Sequence, residues 1–364
     1  MKGTPAVVPH SRPTLGQEES RALAAVVRSG RIAQGPRVEQ FEQGVAAFLG
    51  LAGGVALSSG TTALETALLV LGVEAGDEVI LPSYVCSALW LAVMRVGALP
   101  RLVDIAPDTY AISPEAARKA VTARTKAMIV PHPFGLPADL TALEGVGVPI
   151  IEDCAQTLGA LERGRAVGTV GLLTVCSFYA TKLLCTGEGG MLLSNDQALL
   201  ERARALRDYD EAPALDAAAF NRKMTELQAA MGLVQLDRLR GFLDRRAAIA
   251  ARYSAALADS GLGLPFVPEG RTHVFYRYVV RFGGAAPHLV EGAIARLAAR
   301  GIQCRRPVFR PLHQYLGLEG YPASEEAFAA ALSIPLYPSM TDREVERTIQ
   351  AVREEACRDR RDAR

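Results

Sequence analysis

The amino-acid sequence predicts an α/β fold built on a mostly parallel sheet. Two patterns carry this expectation. Short apolar runs alternate with helix-like stretches through the first two-thirds of the chain, and the rhythm changes from about residue 257. The expected strands are 54–57 (GVAL), 78–81 (EVIL), 101–104 (RLVD), 127–130 (AMIV), 148–151 (VPII), 172–178 (LLTVCSF) and 190–193 (GMLL). Between the first two, Leu64, Ala67, Leu68 and Leu71 mark one face of a helix over 62–71. Residues 224–257 read as nearly continuous helix, with Gly241 as a possible kink. HVFYRYVVRF (273–282) reads as a strand, and 287–301 as a helix closed by Gly301. Thr341 and Glu344 form a T-x-x-E capping box opening a last helix. The expected organisation is a large domain over 1–245, a smaller C-terminal α/β domain over 246–356, and a frayed tail over 357–364.

With 364 residues, 49% hydrophobic and 22% charged, the chain reads as an ordinary soluble globular protein. A formal net charge of +1 gives no electrostatic reason to expect nucleic acid or an acidic membrane as partner. The pairs Arg245-Arg246 and Arg305-Arg306 are expected on solvated faces. MKGTPAVVPHSRPTLG lacks the apolar stretch of a signal peptide, and no apolar run is long enough to cross a bilayer, so a cytoplasmic location is expected. Cys86, Cys154, Cys176, Cys185, Cys304 and Cys357 show no CxxC spacing and are expected as reduced thiols. The five scattered histidines form no HExxH-like pair, and no metal is expected.

In open α/β sheets ligands gather at the carboxyl ends of the strands, so the residues just past each strand are the place to look for a site. After GVAL comes SSGTTALETAL, where Gly60 permits a tight turn and Thr62 with Glu65 has the form of a capping box. The helix start, with the Thr61 and Thr62 hydroxyls, is either an anion site suited to phosphate or a plain cap. After VPII comes Asp153, which needs a cation or several donors if buried. Its partner is the protonated ring nitrogen of a cofactor, an arginine, or the next helix as a cap. After LLTVCSF comes Lys182, one of five lysines in a chain rich in arginine. Unlike arginine, lysine can lose its proton near neutral pH and attack a carbonyl. Ser177 adds a hydroxyl, and GEGG (187–190) turns the chain back. Together these elements ask for an aldehyde, a pyridinium nitrogen and a phosphate, which pyridoxal 5′-phosphate combines. No GxGxxG comes after a first strand, which argues against a dinucleotide-binding enzyme.

At these residues the chain resembles the fold-type I pyridoxal-phosphate transferases, and within them the DegT/StrS-type sugar aminotransferases. IEDCAQ, succeeded 29 residues after the aspartate by Lys182 and then GEGG, is the specific part. SGRIAQGPRVEQFE, GDEVILPSY, NRKMTELQAAMGLVQL, RPLHQY and LSIPLYPSMT extend the likeness over nearly the whole chain. The resemblance implies a large domain with a mostly parallel seven-stranded sheet flanked by helices, Lys182 as the Schiff-base lysine and Asp153 as the ring-nitrogen partner. It further implies Gln156 near the ring hydroxyl and Gly60, Thr61, Thr62 and Ser177 around the phosphate. Asn221 matches an asparagine reaching the phosphate of the neighbouring subunit, which implies a homodimer with shared sites. The implied reaction is ping-pong amino transfer, usually from L-glutamate, to a keto sugar carried on a nucleotide, in amino-sugar biosynthesis. The alternatives are elimination or dehydration on the same scaffold, or a cofactor-binding sensor without turnover.

Three departures stand out. Cys86 occupies the position of the family's usual aromatic against the cofactor ring, with Tyr84 two residues away as a substitute. Arg222 comes directly after Asn221, either as an added charge near the phosphate or facing solvent. RALRDYDE (204–211) lacks a histidine-glycine pair near the acceptor site. Arg305, Arg306, Arg310 and His313 are candidates for meeting a diphosphate or a donor carboxylate, or else surface residues.

Overall fold

The computed structural model describes residues 7–209, 216–283 and 287–362. Helices α1 (Gln17–Ser29) and α2 (Pro36–Leu49) lead into β1 (Gly53–Leu57), α3 (Gly60–Val70), β2 (Glu78–Pro82), α4 (Ser87–Arg95) and β3 (Leu99–Val103). Next come α5 (Pro114–Ala120), β4 (Thr125–Pro131), α6 (Leu140–Leu143) and β5 (Ile150–Asp153). A small hairpin of β6 (Leu161–Glu162) and β7 (Arg165–Ala166) precedes β8 (Leu173–Ser177), β9 (Gly190–Ser194) and α7 (Gln197–Arg207). The long α8 (Glu226–Leu257) leads to β10 (Tyr278–Arg281), α9 (Pro287–Ala299), α10 (Leu312–Leu316), α11 (Pro322–Ala330), β11 (Ala331–Ile334) and α12 (Asp342–Asp362).

The main sheet has the order β1-β9-β8-β5-β4-β2-β3. β2, β3, β4, β5 and β8 pair in parallel, and β9 runs against both β8 and β1. The carboxyl ends of β1, β2, β4, β5 and β8 therefore share one edge. One sheet face packs Val55, Leu81 and Val175 against Leu64 and Leu68 of α3 and Leu200 of α7. The other packs Ala56, Cys176 and Met191 against Phe41 and Val45 of α2 and Ala229 of α8. A second unit is built on the antiparallel β10–β11 pair, where Tyr278, Val280 and Leu332 meet Ile249 and Tyr253 of α8, Leu297 of α9 and Val352 of α12.

Several expectations need correction. β5 starts at Ile150, two residues late, because Pro149 has no N–H and offers its carbonyl to Met128 N–H instead. The strand expected over 273–282 is only Tyr278–Arg281. Val274 and Arg277 donate to the carbonyls of Gly135 and Phe134, which turns 273–277 away from the sheet. α8 continues through Gly241 without a break. The tail expected to fray continues α12 as far as Asp362, with 363–364 outside the described residues. The Thr341–Glu344 box forms, with Glu344 N–H on the threonine hydroxyl at 3.2 Å and Thr341 N–H on the glutamate at 2.8 Å.

The Thr62–Glu65 box does not form. Ser59 caps α3, accepting from Thr62 N–H at 3.1 Å, while Glu65 is drawn away to Arg95 and Arg222, each at 2.7 Å. A long-range ion pair outcompetes a local cap here. Arg222 is accordingly buried, and neither faces solvent nor adds charge to the start of α3. Arg246 is buried too, its guanidinium donating to the carbonyls of Phe275, Tyr276 and Leu336 at 3.1–3.2 Å.

Candidate active site

The strand edge opens into a cleft of about 920 Å³ between the two units. Its floor comes from Pro131 after β4, Asp153 at the end of β5, and Tyr179, Thr181 and Lys182 after β8. Its far wall comes from Tyr276, Arg277, Arg305 and Arg310. Parallel pairing of β5 with β8 sets Asp153 opposite Val175, so the aspartate and the turn carrying Lys182 arise from adjacent strands.

Asp153 is buried, and Ala155 N–H, at 3.0 Å, is the hydrogen bond its carboxylate receives among the described residues. Burial pushes its carboxyl above the ordinary carboxylate range, against the pull of Ala155 N–H, Lys182 and His132. Among the described residues no cation lies in ion-pair contact with it. Glu152, pointing to the opposite sheet face, is satisfied by contrast. It accepts from Gly168, Val170 and Gly171 N–H at 2.5–2.7 Å and from His132 Nε2 at 3.1 Å. His132 Nδ1 accepts Ala138 N–H at 3.0 Å, which fixes the proton on Nε2. His132, Glu152 and Cys154 lie close enough together for a metal, but the histidine and glutamate atoms are spent on this network.

Lys182 sits half-buried in a turn closed by its N–H on Tyr179 O at 2.8 Å. Its Nζ lies over the Tyr276 ring, 5.1 Å from the centroid, with no carboxylate in ion-pair range among the described residues. Gln156 lines the cleft and uses Oε1 to accept Phe134 N–H at 2.8 Å, which leaves its NH₂ as a donor. That bond supports Phe134 at φ 60°, an unusual conformation for a phenylalanine.

Gly60, Thr61 and Thr62 begin α3, and Ser177, the last residue of β8, lies against Gly60. A Cβ on Gly60 would lie 2.7 Å from Ser177 Cβ, and one on Gly190 only 2.3 Å from Ser59 O. Glycine at both positions lets β9 and Ser177 close on the helix start. Gly187 and Gly189 supply φ of 87° and 153° for the turn before it. Asn221 lies beside the end of β1, where Ser58 N–H donates to Arg222 O, and it is exposed, with its Oδ1 accepting Lys223 N–H at 3.3 Å.

Cys86 is the residue before the first turn of α4 and is exposed where it opens onto the cleft. Tyr84, although it reaches the cleft wall, is only 1% exposed. It stacks on Tyr110 at 5.9 Å and donates to Ala327 O at 3.3 Å, so it is held in a core cluster. His313 is not a cleft ligand: it is 1% exposed, with Nδ1 2.6 Å from Ser83 Oγ and Nε2 2.6 Å from Glu325. Arg306 is paired with Glu291 at 3.0 Å, whereas Arg277, Arg305 and Arg310 have no carboxylate partner among the described residues. The loop 204–211 ends outside the described residues.

The sequence does not single out Tyr276 and Arg277, which read there as mid-strand residues. Their tyrosine-arginine pairing within an apolar run is the available signal.

The arrangement fits pyridoxal phosphate. Among the described residues the buried carboxylate has no cation in ion-pair contact, the lysine has no carboxylate in that range, and Gly60 lets the start of α3 close on Ser177. The DegT/DnrJ/EryC1/StrS aminotransferase family model matches residues 13–353. The chain is 37% identical to the dTDP-3-amino-3,4,6-trideoxy-alpha-D-glucose transaminase of Streptomyces venezuelae, over 94% of this chain and 93% of that protein. It is 34% identical to the spore coat polysaccharide biosynthesis protein SpsC of Bacillus subtilis, over 95% and 96%. Among solved structures, the aminotransferase TlmJ from Streptoalloteichus hindustanus superposes with a TM-score of 0.91 at 34% identity, covering 96% of this chain and 99% of that one. By this agreement of site, fold and sequence, the chain belongs to the DegT/DnrJ/EryC1/StrS family of pyridoxal-phosphate-dependent sugar aminotransferases.

Proposed function

We propose that this protein moves an amino group from an amino acid, L-glutamate, to a keto sugar carried on a nucleotide, in two half-reactions at one site. The observation that carries the reading is the pairing in one cleft of Lys182 with the buried Asp153, neither in an ion pair among the described residues. Lys182 is the group that bonds the cofactor aldehyde and carries a proton between carbon atoms. Asp153 keeps the ring nitrogen protonated, and Gln156 offers its NH₂ to the ring oxygen. The start of α3, with Thr61, Thr62 and Ser177, holds the phosphate. Cys86, at the cleft face of α4, lies against the ring where it leaves more room than an aromatic side chain. When bound, the cofactor supplies the electron sink for the carbanion formed beside the transferred amine.

Arg277, Arg305 and Arg310, with no carboxylate partner among the described residues, favour an anionic acceptor, and a diphosphate-linked sugar meets that need. The exposed carboxamide of Asn221 supports its service to a second copy's phosphate site, hence a homodimer. Among the described residues no helix is long and apolar enough to cross a membrane. The test is direct. Borohydride should fix the cofactor to Lys182, and glutamate alone should yield a single 2-oxoglutarate per site, with further release only when a keto nucleotide sugar is present. Failure of amino exchange with the cofactor still fixed at Lys182 would favour elimination on the same scaffold.

A further inference from the structure

We propose that the turn over 133–135 places the far wall of the cleft, with Phe134 and Gly135 as positioning residues that make the seat of Tyr276 and Arg277 depend on Gln156. The turn is rooted in the segment that carries Asp153 and Gln156. His132 N–H donates to Asp153 O at 3.2 Å, Thr157 Oγ1 donates to His132 O at 2.7 Å, and Phe134 N–H donates to Gln156 Oε1 at 2.8 Å. From the tip of the turn two carbonyls reach the wall. Gly135 O accepts Val274 N–H at 2.9 Å, and Phe134 O accepts Arg277 N–H at 3.0 Å. From α8, Arg246 holds the same wall segment by the carbonyls of Phe275 and Tyr276 at 3.1–3.2 Å.

Both sides of this contact carry unfavourable backbone. Phe134 has φ 60° and Phe275 φ 49°, two of the four non-glycine residues at positive φ among the described residues. Such conformations persist where their neighbours over-determine them. For Phe134 one such neighbour is the Gln156 carboxamide; for Phe275 it is His273, whose Nδ1 accepts Phe275 N–H at 2.9 Å. The approach leaves no room for a side chain at 135. The residue has φ 105°, and a Cβ there would lie 2.7 Å from Tyr276 N and 2.8 Å from Phe275 N. Gln156 therefore works in two directions: Oε1 sets the turn, and the NH₂ is left for the cleft. One carboxamide serves the cofactor side and, through the turn, the wall that carries Arg277. That Arg277 grips the acceptor rests on the function proposed above; the link from Gln156 to the wall does not.

Hydrogen exchange of the full-length chain without cofactor, read by mass spectrometry on peptides covering 273–278, tests the link. Gln156→Ala should speed exchange there about tenfold, because the turn loses the acceptor that fixes it. Gln156→Glu keeps an acceptor in that place and should stay near wild type. Gly135→Ala should speed exchange as Gln156→Ala does. In the cofactor-loaded enzyme it should also raise KM for a keto nucleotide sugar more than it lowers kcat. Unchanged exchange in Gln156→Ala, or equal acceleration in Gln156→Glu, overturns the link. A faster wall in Gly135→Ala with KM unchanged overturns its service to the acceptor. If wild type itself turns over no keto nucleotide sugar, the earlier reading falls and exchange alone judges the link. Thermal melts check folding, and if Gly135→Ala does not fold, the two Gln156 variants decide.

Discussion

Replacing Glu152 with glutamine should destabilise the protein far more than its conservative size suggests. Each carboxylate oxygen serves two donors: Val170 and Gly171 N–H on Oε1, Gly168 N–H and His132 Nε2 on Oε2. A glutamine can serve only one of those pairs, and its NH₂ then faces the other. Reversing the histidine tautomer does not help, since Nδ1 must accept from Ala138 N–H. Two buried donors are left without acceptors, at about 1–3 kcal/mol each, or about 2–6 kcal/mol in all. That is a large part of the ~5–15 kcal/mol typical of a folded domain. Urea unfolding of the cofactor-free chain, followed by circular dichroism and by fluorescence of the sole tryptophan, Trp90, measures it where the two probes coincide. A Glu152→Gln protein within about 1 kcal/mol of wild type would refute the account of a fully committed carboxylate.

Gly60→Ala should weaken cofactor binding at least about tenfold, because the new Cβ meets Ser177 Cβ at 2.7 Å; Ser177→Gly in the same chain should restore part of it, as read by equilibrium dialysis. Lys182→Arg should abolish borohydride fixation of the cofactor, measured at the absorbance of the reduced adduct. Acid should destabilise the chain early. His10 and His273 are held neutral by burial, each down to about 3, below their unfolded value of 6.5. Their depressed values mean the stability is complete above that unfolded value and is lost as pH falls below it, at about 1.4 kcal/mol per unit per group. A melting temperature that is flat between about pH 7 and 5 would count against this. Gly241→Ala, where an added Cβ meets nothing within 4 Å, should stabilise α8 by about 0.5–1 kcal/mol in the same urea assay.

The floor of the cleft was legible because it depends on local order. Strand ends announce themselves by apolar runs, and Asp153 and Lys182 come after two such runs that become the neighbours β5 and β8. The wall was not. Tyr276 reaches Lys182 across 94 positions only because Val274 and Arg277 bond to the 133–135 turn instead of a neighbouring strand. The Thr62–Glu65 motif misled for the same reason, since Arg222 lies 157 positions from the glutamate it captures. Arg246, too, looks like a surface cation until the carbonyls that surround it are known.

The continuous helix α8 has a mechanical consequence. Its 32 residues make a strut about 48 Å long, anchored by Ala229 and Leu239 beneath the large sheet and by Ile249, Tyr253 and Leu257 beneath the small one. Swinging one body against the other would snap backbone hydrogen bonds in mid-rod, so gape is fixed by the strut's stiffness. Bulky molecules must then be admitted by yielding side chains at the rim, such as Phe309, which is 84% exposed there.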